Sequence, residues 1–122
     1  MRRALAVLAL VICSLGLVAC GDEETPASDG GSEQEAKTIN ITIEGETLTP
    51  NGDRVEVKVG QPIELVVKSD AEGEIHVHSD PEQEFEYAAG TTTLIMAPIT
   101  RPGIVEVESH ELEKTIVQLE VK

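Results

Sequence analysis

From Thr38 onward the chain alternates apolar and polar residues with a period of two, the pattern of strands that bury one face. Ile39, Ile41 and Ile43 alternate with Thr38, Asn40, Thr42 and Glu44. Val55, Val57 and Val59 alternate with Glu56 and Lys58, and after the turn Gly60-Gln61-Pro62 come Ile63, Leu65 and Val67. Two turn-rich breaks, Leu48 to Asp53 and Asp70 to Gly73, punctuate these runs. Phe85 and Tyr87 alternate with Glu84 and Glu86, as in a short edge strand or an ordered loop. Thr91 to Met96 is β-prone and stops before Pro98. Arg101-Pro102-Gly103 turns the chain into Ile104 to Glu108, and Ile116, Val117, Leu119 and Val121 close it. No stretch has helical period and no repeat is present. Short strands at this spacing predict an all-β fold, a Greek-key β-sandwich of seven to eight strands over residues 38–122.

The first 37 residues break that pattern. Met1-Arg2-Arg3 is a positive start, followed by an apolar run from Ala4 to Ala19. The run is shorter than a comfortable membrane span and has the form of a secretory signal. It ends Leu17-Val18-Ala19-Cys20-Gly21, which resembles the lipobox of bacterial lipoproteins. The resemblance implies a signal peptide over 1–19 and a lipidated Cys20 as the mature N-terminus. It places the domain on the extracytoplasmic side of a bacterial membrane, in the cell envelope. Gly21 to Lys37 is rich in Gly, Ser and acid and has no periodic apolar residue. That composition predicts a disordered tether over 20–37 with an r.m.s. reach of roughly 20–25 Å.

Composition narrows the function. There is one Phe, one Tyr and no Trp, so the core must be built from Val, Ile and Leu, as suits a thin sandwich. The formal net charge of −14 becomes −16 once Arg2 and Arg3 are removed (−14 minus two positive charges). Such a surface repels nucleic acid and favours cations or a basic protein patch. Cys13 and Cys20 both precede the domain, which leaves it neither a disulfide framework nor a thiolate ligand. No nucleophile–base pair, phosphate loop or paired-carboxylate motif is present, so the chain is not expected to be an enzyme.

The three histidines are the strong candidate ligands. His76 and His78 lie in Glu74-Ile75-His76-Val77-His78-Ser79-Asp80, and on a strand residues at i and i+2 share a face. They can converge on one ion at nitrogen distances of about 2.0–2.1 Å. His110 is the natural third ligand, with Met96 a soft donor and Asp80, Glu108 or Glu111 oxygen donors. Strict alternation puts His110 in phase with Glu106 and Glu108, away from Val105 and Val107. It is therefore expected to join a site only where its strand ends or bulges at Ser109. If Ile75 and Val77 form the buried face, all three histidines start on the rim.

The run Val55 to Asp70, the following histidine and Pro102-Gly103-Ile104 to Ser109-His110 together resemble the cupredoxin superfamily. The pattern is most similar to the cupredoxin-like domains of small bacterial lipoproteins and of EfeO-type periplasmic iron-uptake proteins. A blue-copper site uses two His, a Cys and a weak axial Met. Here Ser109 stands where the cysteine should be, and Leu112 where the second histidine should be. Only the first histidine carries over, onto His76. The resemblance thus implies a cupredoxin fold whose electron-transfer site is lost or rebuilt. Two readings stay open. One is a lipid-anchored protein binding copper, or zinc, through His76, His78 and His110. The other is a metal-free sandwich that binds an envelope protein.

Overall fold

The computed structural model describes residues 34–122. The signal segment, Cys20 and most of the tether lie outside the described residues. Nine strands follow in order: β1 (Lys37–Glu44), β2 (Thr47–Thr49), β3 (Asp53–Val57), β4 (Ile63–Ser69), β5 (Gly73–Val77), β6 (Gln83–Tyr87), β7 (Gly90–Met96), β8 (Gly103–Ser109) and β9 (Lys114–Val121). They form two sheets, β2-β1-β4-β7 and β3-β9-β8-β5-β6. The β1–β4 and β3–β9 pairs are parallel and the rest antiparallel.

Alternation becomes burial almost residue by residue. Ile39, Ile41 and Ile43 of β1 face Leu65 and Val67 of β4 within one sheet, and Ile75, Val77, Val105 and Val107 line the other. All of them belong to one continuous core. The count exceeds the expected seven to eight because Leu48, expected in a break, is buried on the short strand β2. Val59 departs the other way. It was expected to continue the alternation of Val55 and Val57, but β3 ends at Val57 and Val59 is exposed. Gly60, at φ +77°, turns the chain there, and Gln61 caps the turn by accepting from the Lys58 N–H at 2.9 Å. A register shift between Val107 and Glu108 in the β8–β9 ladder skips Ile116. This irregularity is why Ile116 and Val117, neighbours in sequence, are both fully buried.

One pole of the sandwich is plugged by the only tyrosine. Tyr87 sits opposite Gly73 across the β5–β6 pair and is buried over it. Its hydroxyl meets those of Ser69 on β4 and Ser109 on β8, the two buried polar residues of the described chain. A Cβ on Gly73 would run into the Tyr87 hydroxyl and come within 2.6 Å of Cζ and 2.7 Å of Glu111 Oε2. Gly73→Ala is therefore expected to cost the roughly 1–3 kcal/mol of an overpacked core. Chemical denaturation of the two proteins side by side checks this. An unchanged midpoint would show that the tyrosine does not close over the glycine.

Candidate metal centre

The site is built on the outer face of the five-stranded sheet. Ile75 and Val77 point inward, so Glu74 and His76 point out. On the neighbouring β8, Val105, Val107 and Ser109 point inward, so Glu106 and Glu108 point out. The register sets Ile75 against Ser109 and His76 against Glu108. The His110 N–H donates to the Glu74 carbonyl at 3.0 Å, which carries the ladder one residue past the end of β8. Glu74 therefore lies opposite His110, and His76 opposite Glu108. The two histidines are diagonal neighbours within reach of one another.

Glu74, His76 and His110 each offer a ligand atom, all within 4.8 Å of one another. Glu74 and His76 are half-buried, and His76 Nε2 contacts Glu74 Oε1 directly. The His76 and His110 rings stack with centroids 4.7 Å apart and planes inclined by 23°. Stacked rings turn faces to each other, whereas coordination uses ring edges, so a shared ion requires one ring to rotate about its side-chain bonds. A hollow of about 300 Å³ lined by His76, Glu108, Ser109, His110 and Glu113 leaves room for that rotation. The turn after His110 is shaped by Glu113, a non-glycine residue at φ 49°. A strained backbone position of this kind persists where the surroundings over-determine it.

The structure divides the expected ligand set. It brings His76 and His110 together and leaves His78 apart. The His78 N–H donates to the Glu106 carbonyl at 2.9 Å, which places its side chain one step along the same face, away from His110. Its Nε2 meets Glu108 Oε2 at 2.9 Å and its Nδ1 meets Glu82 Oε1 at 3.4 Å. The Glu108 carboxylate, followed by Glu82, raises the His78 pKa above its ordinary 6.5. His110 was expected to join a site only if its strand ended or bulged at Ser109, but the bond to Glu74 continues the ladder and keeps His110 in phase with Glu106 and Glu108. Yet His110 needs no inward turn, because its partner His76 is on the outer face as well. Met96 is buried at Ile63, the far end of the β4–β7 ladder from Ser69. Glu74 was not among the expected oxygen donors. Its signal was present in Glu74-Ile75-His76, a same-face pair on a strand.

The donor set is chemically informative. Two imidazoles and a carboxylate suit Zn(II) or Cu(II) and leave coordination positions open. The position expected of a copper thiolate belongs to Ser109, which is fully buried. Its hydroxyl lies near that of Tyr87 and accepts from the Leu112 N–H at 3.4 Å. Ser109 thus faces the core while the histidines face solvent, and the three do not form one site.

No protein-family model matches the chain, and no curated protein matches it. Solved structures do. The fold is similar to a reduced Cu(I) form of an amicyanin point mutant, with a TM-score of 0.51 and 11% identity over 70% of this chain and 82% of that one. It is also similar to a multicopper oxidase from Pediococcus acidilactici, with a TM-score of 0.55 and 14% identity over 72% of this chain and 26% of the oxidase. The described domain is a cupredoxin-like β-sandwich. At these identities the likeness is one of fold.

Burial raises the Tyr87 pKa above 10.0, the Glu111 charge adds to the rise, and hydrogen bonding to Ser109 and Ser69 opposes it. A raised folded pKa gives stability that is complete below the unfolded value and lost as pH climbs through the folded one. With a single tyrosine and no tryptophan, the ultraviolet tyrosinate signal reports this group alone. Its midpoint is expected above 10.0, with stability falling over the same range. A midpoint at the ordinary value would place the hydroxyl in solvent.

Proposed function

We propose that this is a lipid-anchored, extracytoplasmic cupredoxin-like protein that binds a copper(II) or zinc(II) ion for metal handling, with no blue-copper electron transfer and no catalysis. The observation that carries the reading is the convergence of Glu74, His76 and His110 on one face. Its neighbourhood supports it. Residues 69–100 contain seven Asp and Glu and no Lys or Arg, so the local field favours a cation. When bound, the ion would be held by the two imidazoles and the Glu74 carboxylate. Glu108, opposite His76 and bonded to His78, fixes the surrounding shell. The reading aligns the chain with the cupredoxin-like domains of bacterial lipoproteins and EfeO-type iron-uptake proteins on the residue pattern set out above. A metal-free module that captures an envelope protein is the second reading, favoured by the stacked rather than edge-on rings.

Titration calorimetry with Cu(II) and Zn(II) tests the first reading. His76→Ala and His110→Ala are each expected to weaken binding by more than the 10–100-fold that losing an outer-shell partner costs. His78→Ala should stay within about that range, as a residue outside the first set of ligands. Absence of binding at micromolar metal, or equal loss in all three variants, would sink the assignment. Partner capture that survives a chelator, together with absence of metal binding, would move the function to the second reading.

The anchor is tested separately. Cys20→Ala is expected to move the protein from the membrane fraction to the soluble one, or to leave an unprocessed precursor with its apolar run intact. A variant that is processed and stays on the membrane would remove Cys20 as the lipidation site.

A further inference from the structure

The two sheets have four edges, and three of them are guarded. β2 is only three residues long. β3 carries Asp53, Arg54 and Glu56, and β6 carries Glu84 and Glu86 on either side of Phe85. Short strands and charges are how natural proteins keep edges from pairing with other chains. β7, the outer strand of the four-stranded sheet, has neither device. Its seven residues, Gly90-Thr91-Thr92-Thr93-Leu94-Ile95-Met96, include no charge and no proline. Ile95 is 61% exposed, the most exposed large apolar side chain of the described residues. Beyond its ladder with β4, no backbone group of Gly90–Met96 bonds to another backbone group among the described residues.

The neighbouring edge of β6 does not close this gap. Gln83 clasps it at one end, accepting from the Ala97 N–H at 2.7 Å and donating to the Ala97 carbonyl at 3.3 Å. At the other end the Ala88 N–H donates to Thr92 Oγ1 at 3.4 Å. Between these side-chain clasps the main chain of β7 is free. Phe85 and Leu94 are both only partly buried and pack against the core.

We propose that β7 is a docking edge for an extended, basic segment of a partner protein, which adds to the four-stranded sheet as a fifth strand. Main-chain hydrogen bonds would supply the pairing, and side chains the specificity. The inner face of the edge presents Leu94 and the outer face Ile95, so the central residues of the guest are apolar or β-branched on both faces. Its flanks are Lys or Arg. The domain over residues 38–122 holds 17 acids against six Lys and Arg, with Glu64 and Lys68 of β4 in register with Ile95 and Thr91 and Arg101 bonded to Asp80. The same charge argues against a second copy of this chain, at −14 apiece, and against the acidic residues 21–37 of the chain itself. This inference is independent of the metal centre, whose residues lie on the other sheet.

Amide hydrogen exchange on the full chain in detergent, with synthetic peptides as probes, tests it. The probe is Lys-Thr-Val-Ile-Val-Thr-Lys, beside its counterpart with Glu at both ends and a version methylated on alternate amide nitrogens. At a concentration near ten times its Kd the basic peptide is expected to slow exchange across Thr91–Met96 about tenfold. The methylated peptide should not, and Ile95→Lys, which places a charge on the edge, should abolish the effect. No protection by the basic peptide overturns the proposal, as does equal protection by the acidic one. Protection that grows with protein concentration in the absence of peptide assigns the edge to a second copy and overturns it likewise.

Discussion

The pairing of Ile75 with Ser109 is the constraint on which the rest of this domain depends. Because side chains alternate across a strand, that single register decides two things at once. It places Ile75, Val77, Val107 and Ser109 in the interior. It also places Glu74, His76, Glu108 and His110 together on the outer face. A slip of one residue would carry Ser109 into solvent and the histidines toward the core, dismantling both the sealed pole and the ligand cluster. Burial of the isoleucine and valines therefore holds the polar cluster in position, although none of them touches an ion.

The same register separates the fold from a thiolate metal site. The likeness to amicyanin and to a multicopper oxidase lies in the layout of strands. In this chain the interior position expected of a thiolate is a serine whose hydroxyl meets Tyr87, which in turn needs Gly73 beneath it and Ser69 across the sheets. Every buried side-chain polar atom among the described residues has a partner. The pole is thus a closed polar contact inside an aliphatic core, and it offers no place for a soft metal. The hard and borderline donors are all outside, where imidazole and carboxylate can exchange water for an ion.

Charge acts on a longer scale than these contacts. Glu74, Glu82 and Glu108 lie against the histidines, and the chain as a whole carries −14. A field of that sign does no work in folding the sandwich, and it favours cations over anions at the surface. It also weakens association between copies of the chain. An uncharged edge becomes tolerable when copies of the chain repel one another.

Much of the fold was legible in the residues. The alternation of Ile39, Ile41 and Ile43, or of Ile63, Leu65 and Val67, reports a half-buried strand because the pleat has a period of two in any sheet. The cupredoxin resemblance put a cysteine in phase with Val105 and Val107, and Ser109 in that place argued against a thiolate site. The outward phase of His110 was legible too. Its meaning was not, because phase says which face a residue occupies and nothing about which strand lies alongside. The skipped Ile116 and the capture of His78 by Glu108 likewise arise from pairing between strands and not from the adjoining residues. Local periodicity determined the strands, the buried set and the available donors. Only the pairing of β5 with β8 decided that Glu74, His76 and His110 form the cluster, because register is settled by packing across the sheet and not by the order of residues along it.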